Sequence, residues 1–290
     1  MRALTICLLS LVAATALGQS GVGVEVDDVT DNRVSAGMFS GSLELRVKLT
    51  GNNLDKATAA RLLVKEAKDD RGTSLSDGKS QPDFFPREYN SGTLQLSVGQ
   101  PARAASSVRI KGTVELLVPA RDPNATVKVE KALAKLDAPF AHRTLKAAKI
   151  TITPLSKAGY AELMKSRKLD DKKIEEIRAR AKKENVPEAE LEMMLGLAKA
   201  MEGLDDTPSE GAVILSAKEA DFKRVYRVEI LGKDGKPVNV TSRSTSTRGD
   251  DSIMILQPSE APPEGAALEL ILVTDKSRVS FPFDLKVQLP

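Results

Sequence analysis

A chain of 290 residues with 29% charged side chains and a formal net charge of +3 has room for two domains and a mixed, well-solvated surface. Its single cysteine and single histidine exclude thiolate metal centres and a disulfide framework, and leave little for imidazole chemistry. Basic residues are interleaved with acidic ones rather than gathered with aromatics, so a nucleic-acid partner is not expected.

Residues 1–18 read as a secretory signal. Met1–Arg2 supplies a short positive start, and Ala3 to Leu17 is an apolar stretch too short to span a membrane. Ala16 and Gly18 put small residues before a cleavage site at Gln19, which predicts a secreted or periplasmic protein. Cys7 would leave with the signal. No later apolar run approaches the length of a spanning helix, so no transmembrane segment is expected in the mature chain.

From Val22 the apolar period becomes two. Leu43, Leu45, Val47 and Leu49 alternate with Glu44, Arg46 and Lys48, the pattern of a strand with one wet face. Leu94, Leu96 and Val98 repeat it, Val108 to Val118 is a more apolar strand region, and Val127 and Val129 follow the turn at Asp122–Pro123–Asn124. Ser74 to Asn90 is polar, contains Pro and Gly, and reads as a long loop. Regularly spaced short strands predict an antiparallel β-sandwich of immunoglobulin-like type over residues 19–130, followed by a linker or crossover at 131–148.

A second immunoglobulin-like sandwich is expected over 149–290, interrupted by an inserted α-helical hairpin at 156–204. In the insertion Asp170 suits an N-cap, and Ile174, Ile177 and Ala181 share one helix face. Asn185 and Pro187 mark a break. Leu191, Met194, Leu195, Ala198 and Met201 then form a second apolar stripe, which ends at Gly203. So short a pair cannot be stable alone, and is expected to dock on the strands beginning near Ile150 and Val213, the alternative being that its surface is exposed and recognises a partner. Asp234–Gly235 predicts a type I′ hairpin. The serine- and threonine-rich stretch Asn239 to Arg248 reads as an exposed edge strand or a loop. Val279 to Leu289 carries the longest strict alternation and is expected in the second sandwich, with Pro282 at an edge or a bulge.

Few chemical constellations stand out. His142 lies in the alanine-rich connection without a G-x-S-x-G elbow anywhere, so no catalytic residue is assigned. Asp27, Asp28 and Asp31 are the best calcium candidates among the acidic clusters, ahead of Asp69–Asp70 and Asp250–Asp251. No other cofactor is indicated. Phe84, Phe85 and Tyr89 form one aromatic cluster in the proline-bearing loop. They are the candidate contact patch for a protein or an envelope component. The absence of tryptophan weighs against a sugar site, whose rings stack on large aromatic faces. The expected function is therefore that of an exported, non-enzymatic β-sandwich protein with a binding, adhesion or envelope-organising role. The alternatives are an extracytoplasmic carboxylate-dependent hydrolase and a calcium- or carbohydrate-binding accessory module.

Overall fold

The computed structural model describes residues 21–33, 41–52, 54–76, 78–79, 82–86, 93–167, 171–184, 186–202 and 208–290. The signal segment, Tyr89, Asp170, Asn185 and Gly203 lie outside them. In chain order the strands begin with β1 (Gly23–Asn32), β2 (Ser42–Thr50), β3 (Ala59–Asp69), β4 (Phe85–Pro86), β5 (Thr93–Gly99) and β6 (Ser107–Leu117). β7 (Thr126–Val129), α1 (Arg143–Ala148), β8 (Ile152–Leu155), α2 (Lys157–Arg167), α3 (Asp171–Lys183) and α4 (Glu188–Glu202) follow. The chain continues through β9 (Val213–Lys218), α5 (Glu219–Phe222), β10 (Val225–Leu231), β11 (Val240–Arg248), β12 (Asp251–Pro258), β13 (Ala267–Leu272) and β14 (Arg278–Gln288). The fold is mainly β and its strand pairs are antiparallel.

Two compact units divide the chain: Met1–Val118 with Arg278–Pro290, and Pro119–Ser277. The first is β-sandwich-like, with sheets ordered β1-β2-β5 and β14-β6-β3-β4. Alternation decides its interior. Leu43, Leu45, Val47 and Leu49 of β2 join Leu94, Leu96 and Val98 of β5 and Val108, Ile110 and Val114 of β6 in one buried cluster. Gly112 has a packing reason to be glycine, since a Cβ there would stand 2.6 Å from the Phe283 ring on the neighbouring strand.

β14 corrects the sequence reading. Its apolar residues Val279, Phe281, Phe283, Leu285 and Val287 pack on the first unit, not the second, and it pairs with β6 from Arg278↔Leu117 to Gln288↔Ser107. Period-two alternation says that one face is buried but not in which sandwich. Here two strands of 11 residues each match along their full length. Pro282 sits on an edge strand, as its missing N–H requires.

The second unit repeats the plan with sheets β10-β13-β7 and β11-β12-β9-β8 around Leu215, Val228, Ile230, Leu256, Leu268 and Leu270. Val127 of β7 belongs to this core and pairs with Leu270, so the expected boundary at residue 130 falls too late. The expected linker is also part of the unit, because Ala132 and Leu145 are buried in the same cluster. The Asp-Gly turn differs as well. Only Gly235 has a positive φ, 76°, so Lys233–Asp234 form an ordinary turn closed by a left-handed glycine. Beyond the Leu231↔Pro237 bridge the chain leaves β10, which pairs with β13, while β11 pairs with β12.

α2, α3 and α4 lie between β8 and β9, two strands that pair directly with each other. Ile174 and Ala181 of α3 and Leu195 of α4 are buried, and α3 and α4 are each other's principal contact among the described residues. Among the described residues, none of the three belongs to the core cluster of the second unit.

Candidate functional site

The acidic trio Asp27, Asp28 and Asp31 does not converge. A bulge between Val26 and Asp28 leaves Asp27 as the extra residue of β1, and both carboxylates face solvent. Arg46 on β2 takes them, at 2.6 Å from Asp27 and 3.8 Å from Asp28. Asp31 shares the parity of Val29, which packs on the core, and its Oδ2 accepts from Arg33 at 2.6 and 2.7 Å. Its Oδ1 is buried without a hydrogen-bond partner among the described residues. Calcium needs six to eight oxygens in one shell, whereas these oxygens are split between two guanidinium groups. Among the described residues no group of three or more His, Cys, Asp or Glu side chains is placed to hold a metal ion.

The other acidic turns are used by the turns themselves. Asp69 is buried and accepts the N–H groups of Arg71 at 2.9 Å, Thr73 at 2.8 Å and Ala102 at 2.9 Å. Burial pushes its pKa up, but these backbone donors outweigh it and hold the carboxyl below the usual aspartate value. Asp70 accepts the Ser106 hydroxyl, and Asp251 pairs with Lys218 at 2.8 Å. Glu66, Asp122, Asp137 and Asp284 are likewise lowered, led in each case by a side-chain hydrogen bond to the carboxylate. A glycosidase-type general acid requires a shift in the opposite direction.

Of the aromatic candidates, Phe85 lies on the second sheet of the first unit, Phe84 immediately precedes it, and Tyr89 lies outside the described residues. Phe85 is 47% exposed on the two-residue strand β4, paired with Ala60. Phe84 is half-buried, and its ring centroid lies 4.4 Å from the Arg61 guanidinium. That arginine is held in turn by Glu115 at 2.7 and 2.8 Å, with both side chains largely closed to solvent. Phe84 therefore caps an ion pair, and Phe85 is the one exposed large apolar residue of the pair. His142 is the N-cap of α1, and its Nδ1 accepts the Thr144 N–H at 3.2 Å.

Two further surfaces stand open. The first is β11, an outer strand paired on one side with β12 from Val240↔Pro258 to Arg248↔Asp251. All eight residues from Thr241 to Arg248 are exposed. Three of the other edges carry breakers, Pro282 in β14, Pro154 in β8 and the Asp27 bulge in β1, whereas β5 and β7 are short edge strands without one. β11 has no proline and is irregular only at its start, between Val240 and Ser242. The second is the outward side of α4, where Met193, Met194 and Leu197 are 69%, 57% and 62% exposed. Serine and threonine at strand spacing without apolar partners was the available signal for β11. For α4 the signal was an apolar content too large for one stripe.

No family model, curated protein or solved structure matches the chain. No helix among the described residues is long and apolar enough to cross a membrane.

Proposed function

We propose that this is an exported, non-enzymatic binding protein of two immunoglobulin-like β-sandwich domains, the second carrying a helical hairpin insertion, and that β11 takes an extended segment of a partner as an added strand. The observation behind this reading is the open side of β11. β11 offers a row of backbone at the outer edge of its sheet, with every residue from Thr241 to Arg248 exposed, six of them serine or threonine and the other two Arg243 and Arg248. Such a row is the template used in strand addition, where main-chain hydrogen bonds supply the affinity. Export rests on the amino-terminal signal pattern of residues 1–18.

Site-specific photo-crosslinking in the producing cells tests the reading. A crosslinker at Ser244 or Ser246 is expected to capture a discrete partner, and one at Lys286 on the proline-bearing edge β14 is not. Adding edge lysines with Ser244→Lys and Ser246→Lys should abolish the adduct of a crosslinker at Thr245 without lowering the melting temperature. Equal adducts from both edges, or none from β11, would remove the proposal.

A further inference from the structure

α4 is apolar on two opposite sides. At 100° per residue, Leu191 and Leu195 fall on one side, and Leu195 is only 6% exposed. Met193, Met194 and Leu197 fall on the other, together with Glu190. The outward stripe thus runs Glu190, Met193 and Met194, then Leu197, at spacings of three, four and seven. Only the side of Glu188, Glu192 and Lys199 is polar, so the helix carries one apolar side more than its packing against α3 uses. The stripe carries a charge of its own. Glu192 lies off the stripe and is taken by Arg178 of α3 at 2.8 Å, whereas Glu190 is exposed and makes no ion pair with a described residue.

We propose that this stripe docks an amphipathic helix of a partner protein whose apolar face is bordered by lysine or arginine. Methionine suits the task, because its flexible, polarisable side chain adapts to differently shaped apolar partners. The charge selects among occupants. A second copy of this chain would bring another uncompensated glutamate to a stripe that has no cation between Glu190 and Leu197. An anionic lipid surface would repel the same carboxylate. A basic helix satisfies the methionines, the leucine and Glu190 together, in the helix-in-groove manner. The site is separate from β11 and stands without it.

The test uses the full chain with ¹³C-methyl methionine. Met193 and Met194 are assigned by substitution to leucine, and Met254, which is buried, is the reference for intact folding. An 18-residue amphipathic peptide of leucine and lysine should shift the Met193 and Met194 methyl resonances saturably and leave Met254 unmoved. A peptide with glutamate in place of lysine should not. Glu190→Lys should weaken the first peptide at least tenfold at an unchanged melting temperature. The proposal is overturned by methyls that ignore the peptide, by equal affinity for Glu190→Lys or for the acidic peptide, by shifts that follow protein concentration alone, or by shifts with phosphatidylglycerol vesicles. Loss of the β11 adducts leaves this measurement unaffected, so the two proposals fail separately.

Discussion

The second unit's sandwich and the helices between β8 and β9 are held by different means. In the sandwich, Leu215, Ile230, Leu256, Leu268 and Leu270 are essentially closed to solvent, and each sits on a strand with ladder partners. In α3 and α4 the described buried residues are Ile174, Ala181 and Leu195, while Met193, Met194, Leu197 and Ile177 stay exposed. Two sheets facing each other bury both inner faces at once. Two helices bury one stripe each and leave the rest of their apolar surface for something else. The difference teaches where cooperativity should reside: in the sheets, with the helices able to loosen alone.

The largest expected effect tests that directly. Leu270→Ala removes a fully buried side chain and should cost about 2–5 kcal/mol, read as a lower denaturant midpoint. Leu195→Ala should instead reduce the helical circular-dichroism signal while the main transition keeps its midpoint. Equal midpoint shifts for the two variants would break the comparison and make α3 and α4 part of the core.

An intermediate effect sharpens it on the sheet side. Asp69→Ala leaves the N–H groups of Arg71, Thr73 and Ala102 without their acceptor, and should cost about 1–3 kcal/mol. Because the folded pKa of Asp69 is lowered, its stabilisation is fully present above the ordinary aspartate value near 3.9 and is lost as pH falls through the folded value. The acid limb of a stability profile should therefore be shallower in the variant. An identical limb would show that the carboxylate does not hold the turn.

The smallest effect belongs to the helices. Arg180 and Glu184 pair across one turn at 2.9 Å with both side chains exposed. Glu184→Ala should lower helicity slightly at low salt and not at all in molar salt, where exposed pairs are screened. A salt-independent loss would mean that Glu184 acts through packing, and that the helices are more tightly integrated than their exposure indicates.

Much of this architecture was legible in the residues themselves. Period-two alternation picked out β2, β5 and β14 and said which side chains turn inward, because successive strand residues point to opposite faces. Pro282 announced an edge or a bulge, and the break at Asn185 and Pro187 separated two helical stretches, although the structure adds α2 ahead of them. Only the tertiary structure decided partnership. β14 returns to the first unit and β7 joins the second, because alternation sets a face while ladder length and core volume choose the neighbour. The same limit applied to the candidate sites. Asp27, Asp28 and Asp31 stand close in sequence, yet a bulge in β1 and two arginines, Arg46 of β2 and Arg33 just after β1, give them different partners. The exposed edge of β11 was legible as a serine- and threonine-rich stretch with little to bury, whereas Met194 reads with Leu191 and Leu195 as one stripe and is nonetheless exposed, because which side of α4 is covered depends on neighbours distant in sequence.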